Sequence, residues 1–142
     1  MHRGPNWTRT ATPTGVWEAA VAIAADGYRV FAASSWGWIL TLPYPGPWRL
    51  GDTPHEYYSY SWASVASSSD GAKLVAAPSR GNKICTSTNS GATWTPIIMP
   101  NNRWSSVASS ADGTNLVAVS WIEDSPPIGG DGLIYTSGNS GA

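Results

Sequence analysis

Nine acidic side chains stand in the 142-residue chain, and any acid–base chemistry must draw on them. Three of them, Asp26, Asp70 and Asp112, are each followed by glycine and lie between two apolar runs. Asp-Gly between apolar runs is the signal of a tight turn. These three read as turn residues. The other six are Glu18, Asp52, Glu56, Glu123, Asp124 and Asp131. Glu56 and Asp124 are the two that a glycosidase-like acid–base pair would use. Charges in polar connections are more commonly solvated, and no catalytic residue is assigned. His55 is a single loop histidine beside Glu56. No second His or Cys has the spacing of a metal partner, so neither a zinc site nor any other cofactor is expected. Cys85 is the only cysteine, which excludes a disulfide within the chain; in an apolar strand it reads as a packing residue. Asn6-Trp7-Thr8 fits a glycosylation sequon, but Trp7 reads as part of a strand, so the sequon is discounted.

The composition narrows the classes further. Hydrophobic residues make up 42%, which suits a packed core, whereas charged residues are only 12%, about half the usual share. Eight basic and nine acidic residues give a formal charge of −1, and no basic stripe marks a nucleic-acid partner. No apolar run reaches transmembrane length, so membrane insertion is not expected. Met1-His2-Arg3-Gly4-Pro5 lacks the apolar stretch of a signal peptide; the expected place is extracellular or at the cell surface, within a larger protein whose export signal lies outside this chain.

What must position any site is a repeat. Trp104-Ser-Ser-Val107-Ala-Ser-Ser-Ala-Asp112-Gly113 differs at two positions from Trp62-Ala-Ser-Val65-Ala-Ser-Ser-Ser-Asp70-Gly71. A more diverged copy runs from Trp17 through Val21 to Asp26-Gly27, with one extra residue. A second signature follows each: Ile84-Cys85-Thr86-Ser87, Ile134-Tyr135-Thr136-Ser137 and, more loosely, Ile39-Leu40-Thr41-Leu42. The start belongs to the pattern too. Gly4-Pro5-Asn6-Trp7-Thr8 aligns with Gly91-Ala92-Thr93-Trp94-Thr95, and the alignment runs without a gap through Pro13 and Pro100 to Trp17 and Trp104. The equivalent glycines Gly4, Gly46, Gly91 and Gly141 mark one domain, 1–142, of three units at about 4–45, 46–90 and 91–142.

Each unit reads as four short strands. Strand A covers 21–24, 65–68 or 107–110, and strand B covers 29–33, 73–77 or 115–119. Asp-Gly between them predicts a two-residue hairpin with positive φ at both positions. Strand C covers 38–42, 83–87 or 133–137. Strand D centres on Trp7, Trp48 or Trp94, and Pro13 or Pro100 then interrupts pairing before the next strand A. No segment keeps a helical period. Four strands in about 40–50 residues is the size of a β-propeller blade, so the expected fold is all-β: three four-stranded antiparallel sheets of a partial β-propeller. Three blades alone would leave apolar faces open, so the expected partners include further blades or a second copy of the chain.

Ser87-Thr88-Asn89-Ser90-Gly91-Ala92-Thr93-Trp94 resembles the Asp-box of sialidase-like propellers, also called bacterial neuraminidase repeats. Asn89 and Asn139 stand where the family's motif has an acid. The resemblance implies that Ser87, Asn89, Gly91 and Trp94, with Ser137, Asn139 and Gly141, are structural residues of the turn between strands C and D. A sialidase also needs an arginine triad. Arg3, Arg9, Arg29, Arg49, Arg80 and Arg103 are the arginines of this chain, and none has the Arg-Ile-Pro context of the first sialidase arginine.

Two insertions carry the functional signal. Trp48 to Trp62 spans 14 residues where Trp94 to Trp104 spans 10, and Asp112 to Ile134 spans 22 where Asp70 to Ile84 spans 14. The first lengthens a D-to-A connection, the second a B-to-C connection. Both leave the same end of the strands, opposite the Asp-Gly turns. That end gathers Trp36, His55, Glu56, Tyr57, Tyr58, Tyr60, Trp121 and Asp124, an aromatic set suited to stacking on sugar rings or partner side chains. The expected function is therefore non-enzymatic recognition of carbohydrate or protein. The alternative is a section of a propeller glycoside hydrolase whose catalytic residues lie on other blades.

Overall fold

Extended backbone dominates the computed structural model, which describes residues 20–34, 37–43, 46–53, 61–122 and 132–142. Every element among these residues is a strand. β1 (Val21–Ile23), β2 (Arg29–Ala33), β3 (Ile39–Pro43) and β4 (Arg49–Leu50) make a four-stranded antiparallel sheet in chain order. β5 (Trp62–Ser67), β6 (Leu74–Pro78), β7 (Gly81–Ser87), β8 (Thr95–Ser109), β9 (Leu116–Ile122) and β10 (Gly132–Ser137) make a six-stranded antiparallel sheet, again in chain order.

The repeat predicts separate sheets for the second and third units, whereas the structure joins them through β8. Its first half pairs with β7 as far as Ile98↔Lys83, then at Gly81↔Asn102 after a bulge. From Asn102 onward it pairs with β9. Strand D of the second unit and strand A of the third are thus one extended segment that changes partner at Asn102. Pro100 sits in the bulge, where its missing N–H costs no ladder hydrogen bond. It interrupts the pairing, as expected, but not the strand. Trp94 precedes β8 instead of lying within strand D.

The Asp-Gly hairpins also differ from the expected geometry. Only the glycines, Gly27, Gly71 and Gly113, have positive φ (73°, 67° and 68°). In the second unit the Gly71 amide donates to the Ser68 carbonyl (3.0 Å), and the Ser68 amide donates to the Lys73 carbonyl (2.9 Å). This is a four-residue connection built on a β-turn from Ser68 to Gly71, with glycine at its last position. Glycine takes the left-handed position, and the Asp70 carboxylate accepts from the Ala72 amide (3.0 Å).

The units stack face to face. β5 packs against β1 and β2 on one side and β8 on the other. One core lies between the first two units and contains Phe31, Ile39, Trp62, Val65, Leu74, Cys85 and Trp94. A second lies between the last two and contains Val75, Ala77, Ile84, Trp104, Val107 and Ala118. Leu74 to Pro78 of the central unit are all buried because both faces of β6 are covered, whereas β10 alternates between exposed and half-buried residues. Equivalent positions show the gradient. Ile39 and Ile84 are 1% and 5% exposed, and Ile134 is 72% exposed; Val65 and Val107 are 6% and 7% exposed, and Val21 is 73% exposed. Backbone hydrogen bonds tie the stack together: the Ala25 amide donates to the Ser69 carbonyl (2.9 Å), and the Ser69 amide to the equivalent Ala111 carbonyl (2.8 Å).

Candidate functional site

The two ends of the stack are chemically different. At one end lie the Asp-Gly turns and the Ser-x-Asn-x-Gly turns, joined by the Ser90 amide donating to the Ala72 carbonyl (2.9 Å) and the Ser140 amide to the Thr114 carbonyl (2.8 Å). In the second unit the Ser87 hydroxyl accepts from the Gly91 amide (3.0 Å) and donates to Asn89 Oδ1 (3.0 Å). Asn89 Oδ1 also accepts from the Thr93 amide (2.9 Å), and Asn89 Nδ2 donates to Thr93 Oγ1 (2.8 Å). The third unit repeats the geometry. Ser137 Oγ accepts from the Gly141 amide (2.9 Å) and donates to Asn139 Oδ1 (2.7 Å), and Asn139 Nδ2 donates to the Ala142 carbonyl (2.6 Å). Ser90 and Ser140 are the only non-glycine residues of positive φ among the described residues, at 58° and 60°. The Ser87, Asn89, Ser137 and Asn139 side chains are thus committed to their own turns. Trp94 buries its ring between the first and second units.

The aspartates are equally committed. Asp112 Oδ1 accepts from Ser110 Oγ (2.6 Å), the Thr114 amide (3.0 Å) and Thr114 Oγ1 (2.7 Å). The Ser110 hydrogen bond above all, then those from Thr114, holds its carboxyl well below the usual carboxylate range. Asp70 is lowered in the same sense by Ser68 and the Ala72 amide. An anion held this firmly by turn donors is a poor proton shuttle near neutral pH.

At the opposite end β9 ends and β10 begins. The first long connection leaves β4 through Asp52, whose amide donates to the Ala92 carbonyl (3.1 Å) and which bridges Thr93, so it starts beside the Ser-x-Asn-x-Gly turn of the second unit; most of both connections lies outside the described residues. Trp121 stands there, 59% exposed, opposite Arg103 of β8 and Gly132 of β10. Trp36, His55, Glu56, Tyr57, Tyr58, Tyr60 and Asp124 lie outside the described residues. Beneath Trp121 is a polar network that the repeat pattern did not flag. Asn102, buried at the point where β8 changes partner, donates through Nδ2 to Ser120 Oγ (3.0 Å) and Tyr135 Oη (3.0 Å). Trp104 Nε1 donates to the Gly81 carbonyl (3.0 Å), and the Trp104 and Tyr135 rings meet at 5.3 Å between centroids. The counterparts of Asn102 are Gly15 and Tyr60, so no repeated residue type marked the position.

Solved structures share this architecture. YCF48 from Cyanidioschyzon merolae matches 92% of this chain over 37% of its own length, with 17% identity and a TM-score of 0.62. The GH74 xyloglucanase from Xanthomonas campestris matches 82% of this chain over 20% of its own length, with 15% identity and a TM-score of 0.61. A luciferin-regenerating enzyme matches 84% over 44% of its own length, with 17% identity and a TM-score of 0.61. The chain thus spans less than half the length of each. No protein-family model and no curated protein matches it.

Proposed function

We propose that this chain, a section of a β-propeller in which each repeat unit is one blade, is a binding or scaffold module. It recognises carbohydrate or protein through the end of the blades opposite the Ser-x-Asn-x-Gly turns. The observation that carries the reading is Trp121, a large aromatic held 59% exposed at a strand end between two paired strands. Its backbone is fixed by ladders on both sides, so the ring offers contact area at low entropic cost. The long connection between β4 and β5 adds Tyr57, Tyr58 and Tyr60 to this face. At the other end the polar side chains are consumed in holding turns, as Asp-boxes would be. The module belongs outside the cell, within a larger protein.

Glycan-array and pull-down binding should fall at least tenfold in Trp121→Ala and in Tyr58→Ala, with the urea midpoint of Trp121→Ala close to that of the parent. Full binding by both variants refutes the reading. The second reading, a section of a glycoside hydrolase, is favoured by the likeness to the GH74 xyloglucanase. Under the first reading, xyloglucan and sialoside assays give no turnover. Turnover that disappears in Glu56→Gln or Asp124→Asn would establish the second.

A further inference from the structure

We propose that Asp26-Gly27 is a site of spontaneous modification: Asp26 converts to isoaspartate through a cyclic imide with the Gly27 nitrogen, because its turn lacks the serine that restrains the equivalent aspartates. The inference is independent of the binding end.

The Asp-Gly turns of the three units close alike along the backbone. The Gly27 amide donates to the Ala24 carbonyl (2.9 Å), Gly71 to Ser68 (3.0 Å) and Gly113 to Ser110 (2.9 Å). In each turn the carboxylate also accepts from the amide two residues on. Tyr28 donates to Asp26 at 2.9 Å, and Ala72 to Asp70 and Thr114 to Asp112 at 3.0 Å. The side chains behind the turns differ. Ser68 Oγ donates to Asp70 Oδ1 and Ser110 Oγ to Asp112 Oδ1, both at 2.6 Å. Each serine is itself fixed, since its Oγ accepts from the Lys73 or Asn115 amide, at 3.0 Å in both. Position 24 holds alanine instead. Among the described residues, the Tyr28 amide is the one hydrogen-bond donor to the Asp26 carboxylate.

The reaction needs only the turn itself and water. The Gly27 nitrogen attacks Asp26 Cγ. A C–N bond forms and a C–O bond breaks, and the carboxyl oxygen leaves as water with the carboxyl proton and the amide proton. The imide then takes up one water. Opening at the side-chain carbonyl restores aspartate. Opening at the backbone carbonyl leaves the chain running through Cβ, with a free α-carboxylate. Glycine leaves the nitrogen unhindered in all three turns, so it does not distinguish them. The restraint on the carboxyl does. To present Cγ, Asp26 gives up one donor, Asp70 two and Asp112 three. The acid form is the reactive one, because its hydroxyl can leave as water. The serine donors hold the Asp70 and Asp112 carboxyls below the usual carboxylate range, which depletes that form near neutral pH.

The change reaches beyond its own turn. Isoaspartate lengthens the main chain by one carbon directly after Ala25, whose amide ties the first blade to the second through the Ser69 carbonyl (2.9 Å).

The test stores the full chain for weeks at physiological temperature and mildly acidic to neutral pH. Isoaspartate is counted by methyl transfer from S-adenosylmethionine with an isoaspartyl-specific methyltransferase. Tandem mass spectrometry of peptides then places it, and separates it from Asp131-Gly132, a further such dipeptide whose aspartate lies outside the described residues. Asp26 should accumulate isoaspartate about tenfold faster than Asp70 or Asp112, the factor that one hydrogen bond to a charged group supplies. Ala24→Ser should bring Asp26 down to their rate. Serine fits there: Ala24 and Ser68 are each 1% exposed, and their Cβ atoms lie 3.1 and 3.2 Å from where a Cβ on Gly71 or Gly113 would stand. Ser68→Ala should raise the rate at Asp70, and in urea the three rates should converge, because the restraint belongs to the fold. Equal rates in the folded parent overturn the proposal. So does an Ala24→Ser chain whose Asp26 isomerises as before, and so does a difference between the turns that persists in urea.

Discussion

Ser87 and Ser137 perform the same task in different surroundings, and replacing each with alanine separates the hydrogen bond from its burial. Ser87 Oγ is hydrogen-bonded to the Gly91 amide and to Asn89 Oδ1, both at 3.0 Å, and the serine is 3% exposed. Ser87→Ala leaves the buried Gly91 N–H without its acceptor. Desolvation without a partner costs about 1–3 kcal/mol, and the space beside Gly91, with Thr41 and Leu74 close to its Cα, leaves water little access. Ser137 Oγ makes the equivalent bonds at 2.9 and 2.7 Å, but its turn is largely open to solvent. Water can replace the lost acceptor there, so Ser137→Ala costs about 0.5–1 kcal/mol, the net value of an ordinary hydrogen bond. Urea unfolding at one fixed protein concentration measures both. With a slope of about 2 kcal/mol/M, Ser87→Ala lowers the midpoint by about 1 M, and Ser137→Ala by less than half of that. Equal shifts, or a larger shift for Ser137→Ala, would refute the reasoning that burial sets the value of the turn.

Two further outcomes follow from the cores and the turns. Phe31, fully buried between the first and second blades, should cost about 3–5 kcal/mol when changed to alanine, measured by the same unfolding curves. Asp112 is held below its unfolded value of about 3.9, so it contributes stability above that pH and loses the contribution as pH falls toward its folded value. Acid titration of the unfolding midpoint from pH 5 downward should therefore be shallower in Asp112→Asn than in the parent; parallel curves would remove Asp112 from the acid response.

The repeat signatures made the strand order and the turn positions legible in the amino-acid sequence. The reason is local: Asp-Gly and Ser-x-Asn-x-Gly close turns with their own side chains, so residue type dictates geometry wherever the motif occurs. Strand B of the first unit was read to the residue, as Arg29–Ala33, because apolar residues between turn signals have only one way to pair. Cys85 was likewise legible as a core residue from its place in strand C. Tertiary contacts decided the rest. Pro100 marks a pairing break in sequence, but only the arrangement of β7 and β9 on either side of β8 makes it a bulge within one continuous strand. Asn102 differs in type from its counterparts Gly15 and Tyr60, and its role depends on Ser120 and Tyr135, which the fold brings together from two other strands. Nor can a local pattern distinguish Ile39 and Ile84 from Ile134, which occupy the same place in the repeat. The first two are buried and the third is exposed because burial of a blade face depends on whether another blade covers it.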